Sequence, residues 1–484
     1  MSANIPEAID GLPNICGWED EVHQVTSQTT PLYLGRTPLR LDRMQSAFAL
    51  ALHMHQPLMI QDGDLGTAPL IGNLQYMMER QHVHDMHDAP VFAHCYSRIA
   101  DFIREHVDGG RHPRIMLDYS GELLWGLRQM GRGDILDNLR TLVDGDRYWP
   151  CAEWLGTTWA HAVVPSTPVP DLKPQILAWQ HHFAGLFGWA ALGRVRGFSP
   201  PEMHLPNHPD VAFEYIKALR ECGYQWLLVQ EHTVEELNGH GLGERHLPRR
   251  LVAKNLRGEE VSIIALIKTQ GSDTKLVAQM QPLSEARGLH PCALGGRQVP
   301  PLVAQIADGE NGGVMMNEFP QNYNQAWHNL GTEGVVGIGG TEYLELLAQA
   351  GLTEKDFAPV QPLHQAALWK RLAGAPTPEQ VAAAIVDAKQ ADYRFHMDGG
   401  SWTSNLSWVS GYENVLDPMN KLSALFHAKL DGRNVDRRSH AYRNALLHNL
   451  TAQTSCYRYW GQGRWTDYAK EICRRGAAVL QNDF

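Results

Sequence analysis

A parallel α/β sheet of barrel type followed by a bundle of helices is what this 484-residue chain predicts, and three observations carry that expectation. From residue 44 onward, short apolar runs alternate with helix-like segments, the pattern of repeated βα units. The repeats are numerous enough to suit a barrel better than a small open sheet. Beyond about residue 360 the runs stop, and apolar residues recur at three- and four-residue spacing, as on helices that pack together.

Residues 1–43 are rich in Gly, Pro and Thr without a clear period and are expected to form an N-terminal arm over the main domain. Strand-like runs follow at 48–53, 114–118, 194–198, 226–230, 261–267, 313–316 and 334–338, with helix-like stretches at 70–79, 123–130 and 342–349. The later helices are expected at 361–372, 377–391, 420–430, 441–451 and 468–480. Pro378 sits near the first turn of its helix, where the missing N–H costs nothing. The expected division is an arm at 1–43, a barrel at 44–355 and a helical domain at 356–484.

Composition narrows the function. With 43% hydrophobic residues the chain can bury a large core, and its length favours two domains. A net charge of −11, with no Lys or Arg run beyond a pair, argues against nucleic acid or an anionic membrane as partner and suits a neutral substrate. The 7 cysteines are odd in number, scattered and without a C-x-x-C, so neither a disulfide framework nor a zinc ribbon is indicated. The N-terminus lacks a signal peptide and no apolar stretch approaches ~20 residues. A soluble, cytoplasmic protein is expected.

In parallel sheets the chemistry lies where strands end. There the sequence reads His53-Met54-His55-Gln56-Pro57, Gln230-Glu231-His232 and Asn317-Glu318-Phe319-Pro320, with Glu153 through His161 between them. Glu202 follows Pro200 and Pro201, which lock φ and lack N–H groups, so the carboxylate is delivered by a rigid loop at the end of a strand. Acids, hydroxyls and histidines beside aromatics, among them Trp154, Trp159, Trp327, Trp402 and Trp408, suit sugars, whose hydroxyls need polar partners and whose C–H faces pack on rings. His82, His84 and His87, with Asp85, Asp88 and His94, offer metal-ligand types. Their segment is polar on nearly every side, as in a solvated loop, and no metal or cofactor is assigned. The Gly-rich run 334–340 lacks the Lys-Ser/Thr of a phosphate loop and reads as a strand and tight turn.

Taken in order, these segments resemble glycoside hydrolase family 57, retaining enzymes acting on α-glucans. The resemblance implies an incomplete (β/α)7 barrel followed by a helical domain. His53 to Pro57 is similar to the family's first motif, and Glu153 to His161 to its second, with His161 at the substrate-binding histidine. Residues 197–202 resemble the third motif, which implies Glu202 as nucleophile. Gly400-Ser401-Trp402 with Trp408, and then 454–460, resemble the later Ser-Trp segment and the helical region. Substrate contacts are thereby expected from His53, His55, Gln56, Glu153, His161, His204, Trp402 and Trp408.

Two departures stand out. Ser199 replaces a tryptophan usual before the third motif's Pro-Glu. The fourth motif, where the family carries an aspartate acid/base commonly followed after one residue by a glutamate, is read at Met315-Met316-Asn317-Glu318-Phe319, which has no aspartate. Anchoring on the later glutamate puts Met316 at the acid position, and shifts of one or two residues put Asn317 or Glu318 there. Glu318 is the choice that preserves the mechanism, with Asp398 in reserve. Retention needs an ionised and a protonated carboxyl about 5–5.5 Å apart. Apolar neighbours of Glu318 would keep it protonated, and donors around Glu202 would keep that group ionised. The expectation is therefore an α-amylase or 4-α-glucanotransferase type of enzyme. The alternatives are a catalytically impaired α-glucan-binding protein and a metal-dependent deacetylase on a related barrel. Hydrolysis or transfer, linkage, chain length and oligomeric state stay open.

Overall fold

The computed structural model describes residues 5–83, 86–269, 277, 279–310, 318–402, 407–459 and 463–484. One sheet of eleven strands dominates: β1 (Met44–Met54), β2 (Ile115–Tyr119), β3 (Ala152–Trp154), β4 (Gly197–Phe198), β5 (Trp226–Gln230), β6 (Val234–Glu236), β7 (Arg249–Lys254), β8 (Glu260–Lys268), β9 (Leu302–Asp308), β10 (Gly334–Gly337) and β11 (Pro359–Pro362). Strand β1 sits at its centre. One edge pairs in parallel with β9 along its whole length, and β10 and β2 share the other. The parallel pairing continues from β2 to β3, through the bridge Gly156↔Phe198 to β4, then to β5, β8 and β9, and so returns to β1.

The sequence of β1 shows why it can be buried on both faces. Ala47, Ala49 and Ala51 alternate with Phe48, Leu50 and Leu52, and successive side chains of a strand point to opposite faces. The alanines join Met116, Leu228, Leu266, Ala304 and Ile306 in an inner cluster, where small side chains fit. The larger residues join a second cluster with Tyr96, Ile99 and Ile103 of helix α1 (Ala89–Asp108). Where β3 and β4 approach, Gly156 and Gly197 lie against the rings of Tyr224 and Trp226, and a Cβ at either position would enter the ring.

Helices α2 (Gly121–Gln129), α3 (Val169–Phe187), α4 (Pro209–Glu221), α5 (Glu318–Asn329) and α6 (Gly340–Gln349) accompany the sheet. After β11 come α7 (Pro378–Ala391), α8 (Glu413–Leu430), α9 (His440–Thr451) and α10 (Arg464–Asp483). Val415, Leu422, Phe426, Leu446, Leu450, Tyr468 and Ile472 of α8 to α10 form their own apolar cluster, which reaches Trp159 and Ala178 on the sheet side. No helix among the described residues is long and apolar enough to cross a membrane.

A buried carboxylate ties α3 to this C-terminal group. Asp171, fully buried in the first turn of α3, accepts hydrogen bonds from Asn449 Nδ2 (2.8 Å), Gln453 Nε2 (2.7 Å) and His427 Nε2 (2.9 Å). The other nitrogen of His427 meets Asp431 at 2.9 Å. Burial opposes a charge on His427, but Asp171 and then Asp431 outweigh it and raise the imidazole above its ordinary value. The first residues are also held: Arg438 Nε donates to Gly17 O and Leu32 N, Tyr33 N and Leu34 N to Glu345.

Glu153 of β3, expected to touch substrate, is 4% exposed and spends its carboxylate on α6. The Thr341 amide reaches its two oxygens at 3.1 and 3.3 Å, and the Thr341 hydroxyl donates to it as well. It fills the role of a helix N-terminal cap from another strand. Burial pushes Glu153 up to about 7, against the pull of the Thr341 donors.

Most expected elements are present with shifted ends, including the strand and turn at 334–340, but three regions differ. Residues 359–362 form strand β11 of the sheet, where a helix from 361 was expected. Strand β9 was not anticipated. Its Gln305 breaks the apolar run, yet is fully buried because its side-chain amide donates to Thr269 Oγ1 at 2.7 Å. The expected strand at 313–316 lies outside the described residues, as do His84 and Asp85 of the histidine cluster.

Two outcomes follow from these buried carboxylates. Because the folded value of His427 lies above its unfolded one, its contribution to stability is complete below about pH 6.5 and is lost as pH rises through the folded value. Melting temperature should fall over that alkaline range in the unaltered protein, and the fall should be smaller in His427→Gln. Glu153→Ala should cost about 1–2 kcal/mol in denaturant unfolding, as loss of a helix cap does.

Candidate active site

The C-terminal ends of the parallel strands meet on one face, and the chemistry-bearing residues gather there. His53, near the end of β1, lies in register with Asp118 of β2 on one side and Asp308 of β9 on the other. His53 Nδ1 contacts Asp118 Oδ2 at 2.9 Å, and its Nε2 faces His161 Nε2 at 2.8 Å. His161 Nδ1 meets Ser455 Oγ at 2.6 Å. The ring of His55 stacks on that of His161 at 4.0 Å and 7°, with Nδ1 on Ser120 Oγ (2.7 Å) and Nε2 on Cys456 Sγ (3.4 Å). Both ring nitrogens of all three histidines are thus engaged by protein, and all three rings are buried. Gln56 is buried too and accepts from Asn73 Nδ2 at 2.7 Å.

Charge in this cluster follows from burial and neighbours. Burial works against a charge on His53, but Asp118, Asp308 and Glu310 together hold it up at about 9. Burial, then the neighbouring His53, push His55 well below the ordinary range. His161 is pushed the same way by burial, His55 and His53. One imidazolium therefore sits among neutral partners. Asp308 is raised above the usual carboxylate range by burial, with His53 pulling it back and Asp118 pushing it up. Glu310, whose Oε1 accepts from His55 N at 2.9 Å, is raised to about 7 by burial and then Asp308.

Glu202 is presented by a strained turn. It has φ 48° and Met203 φ 58°, and His161 across the cluster has φ 51°. Such left-handed conformations cost a non-glycine residue of order 1–3 kcal/mol and persist where surroundings hold them. Here the holders are visible. His204 Nδ1 donates to Pro201 O at 2.6 Å, and Met203 is buried in the inner apolar cluster. Leu205 and Gly400 exchange backbone hydrogen bonds of 2.9 and 3.1 Å, and Trp402 N donates to Glu202 O at 2.9 Å. The Trp402 ring stands edge-on to His53 with centroids 6.0 Å apart. Glu202 itself is half-buried.

The remaining expected residues are placed as follows. His204 is fully buried, its imidazole pushed down to about 3 by burial, and its ring meets Trp408 edge-on at 5.3 Å. Ser199 is fully buried behind the turn. Asp398 is half-buried, one residue before Gly399, whose N–H donates to Asn207 Oδ1. Glu318 is exposed at the start of α5, next to Phe319, which packs under Arg98 of α1 at 5.9 Å. Asn317, Met315 and Met316 lie outside the described residues, as does Trp460. Among the described residues no group of three or more His, Cys, Asp or Glu is arranged to hold a metal ion.

Sequence reading passed over Asp118, Asp308, Glu310 and Ser455. For two of them a signal was present: Asp308-Gly309-Glu310 is an aspartate followed after one residue by a glutamate, at the end of a strand.

Comparison with known proteins comes to the same family. The model of glycosyl hydrolase family 57 matches residues 49–293. Among solved structures, a 4-alpha-glucanotransferase from Thermococcus litoralis aligns at 18% identity and TM-score 0.52, over 90% of this chain and 57% of that one. The chain thus spans little more than half the length of that protein. A GH57-type branching enzyme from Pyrococcus horikoshii aligns at 14% identity and TM-score 0.46, over 90% of this chain and 88% of that one. The alpha-amylase AmyC from Thermotoga maritima aligns at 10% and 0.46, over 90% and 93%. At 18% identity the likeness to the glucanotransferase is one of fold, a mixed α/β architecture with a central, mainly parallel sheet. No curated protein matches. With half of its length matched by the family model, the chain belongs to glycosyl hydrolase family 57.

Proposed function

We propose that this protein is a retaining α-glucan-active enzyme, a hydrolase or transglycosylase, with Glu202 as nucleophile and Asp308, in place of Glu318, as acid/base. The observation that carries the reading is the position of Asp308. It ends β9 in register with His53, is partly exposed, and has its carboxyl raised by burial, as a proton donor requires. Glu318 is exposed on a helix that packs against α1. The family's aspartate, with a glutamate one residue on, then falls at Asp308 and Glu310. The case for an impaired glucan-binding protein rested on the missing aspartate, and it loses its motive. The same reading takes the closed cycle of parallel strands as the family's incomplete (β/α)7 barrel, prolonged to β11, and α7 to α10 as its helical domain.

In the first step the ionised Glu202 attacks the anomeric carbon while Asp308 gives its proton to the leaving oxygen. The glycosidic bond breaks, leaving a glycosyl ester on Glu202 and a shortened glucan. In the second step the Asp308 carboxylate takes a proton from water or from a sugar hydroxyl. The oxygen so activated displaces Glu202 from the anomeric carbon. Water gives hydrolysis and a second glucan gives transfer. Trp402 and Trp408, both partly exposed beside the Glu202 turn, supply ring faces for the sugar.

The test is incubation with maltoheptaose and amylose, with products resolved by chromatography. Glu202→Gln and Asp308→Asn should each lower turnover by at least about a hundredfold. Glu318→Gln and Asp398→Asn should leave it unchanged. Full activity in Asp308→Asn, or its loss in Glu318→Gln, would return the acid to Glu318. Glucan binding without turnover in the unaltered protein would establish a binding function instead.

A further inference from the structure

The chain Asp118, His53, His161, Ser455 runs from β2 through the loop after β3 to the segment between α9 and the next short helix, and its hydrogens can be placed by elimination. Two Nε2 atoms at 2.8 Å need one donor and one acceptor. If His53 carries both protons, it donates from Nδ1 to Asp118 and from Nε2 to His161. His161 must then hold its proton on Nδ1 and donate it to Ser455 Oγ. If His53 is neutral, the order reverses: His161 donates from Nε2, and the Ser455 hydroxyl donates to Nδ1. Where His53 Nδ1 donates to Asp118, the tautomer of His161 and the charge of His53 are one variable.

The groups facing His53 select the first state. Asp118 approaches from β2, Asp308 and Glu310 from the end of β9, neutral His55 from its own strand, neutral His161 from the loop, and the Trp402 edge from the far segment. Three carboxyl groups around one imidazole favour an imidazolium. Ser455 is fixed for its part, since its N–H donates to His161 O at 3.1 Å and Thr454 bridges Ala162.

We propose that Asp118, His161 and Ser455 are positioning residues for the glycosidic reaction, which hold His53 doubly protonated so that its charge, not a hydrogen bond to sugar, acts on the reacting carboxyl of Asp308. This rests on the reading of Asp308 as acid/base. The imidazolium restrains the rise in proton affinity that burial imposes on Asp308, so that Asp308 both gives a proton in the first step and, once ionised, is stabilised until it takes one back in the second. Ser455 fixes the tautomer of His161 that accepts from His53. Without its hydroxyl, the Nδ1–H of His161 loses its acceptor, the proton moves to Nε2, and His53 must release one.

The experiment pairs two readouts in Ser455→Ala, with Ser455→Thr as the variant that keeps a hydroxyl. Ring ¹⁵N shifts of protein labelled at histidine should show His53 protonated on both nitrogens near neutral pH in the unaltered protein and in Ser455→Thr, and neutral in Ser455→Ala. On maltoheptaose, the alkaline limb of kcat/KM, which reports the acid in the free enzyme, should move up by about one pH unit in Ser455→Ala, because a cation has been withdrawn from beside it. Ser455→Thr should restore the limb. His53 neutral in the unaltered protein, or still doubly protonated in Ser455→Ala, overturns the proposal. So does an alkaline limb that stays in place in an active Ser455→Ala. A protein that turns no glucan over, yet loses the His53 proton in Ser455→Ala, sinks the glucan reading and leaves the hydrogen-bonded network standing.

Discussion

The buried imidazolium of His53 is the interaction on which the floor of the site depends. Asp118, Asp308 and Glu310 converge on the end of β1 in an environment that penalises every ionised group. One cation cannot neutralise three carboxylates, and burial decides which stay protonated. Asp118 is the direct hydrogen-bonded partner of His53. Glu310 is driven up to about 7 and accepts from the His55 amide. Asp308, partly exposed and next to His53 in register, lies between these two cases. A parallel sheet makes the arrangement cheap to build, since register alone brings the three strand ends level.

The nucleophile candidate is held by a different means. Two consecutive left-handed residues after two prolines form a turn that local preference does not favour, so its stability comes from what packs on it. Met203 anchors it from the inside of the sheet and the 400–402 segment from the outside. Buried His204 closes the turn onto Pro201 O and is braced by Trp408. In this turn His204 has a structural task, which accounts for a histidine two residues from Glu202 yet fully enclosed.

Much of this was legible in the sequence. The short apolar run at 48–53 announced β1, the double proline announced a rigid delivery of Glu202, and the order of motifs announced the family. What escaped notice has physical causes. Gln305 interrupts β9 with a polar side chain whose partner, Thr269, is 36 residues away, so the run did not look buried. With β9 unseen, Asp308 did not stand at a strand end, and the apolar residues at 313–316 drew attention to Glu318. Glu153 and His204 look like sugar ligands by residue type. The Glu153 carboxylate is engaged by Thr341, 188 residues away, and His204 Nδ1 by the Pro201 carbonyl of its own turn. Asp118 and Ser455 carry no local signal, because their roles arise from contacts with histidines 65 and 294 residues distant.

The family model ends at residue 293, yet the candidate site does not. Asp308, Gly400, Trp402, Thr454 and Ser455 all lie beyond it, and each contacts or adjoins a residue within it. The dependence has a direction. The strained residues, His161, Glu202 and Met203, belong to the matched segment, whereas backbone partners of His161 and Glu202 come from the later one, through Ser455 and Trp402. Strain that is held from outside is released when the holder is removed. The later segment is therefore part of the machinery that aims Glu202 and sets the hydrogen-bonding of His161. Helices α8 to α10, through the Asp171 network and their own apolar cluster, keep that segment against the sheet.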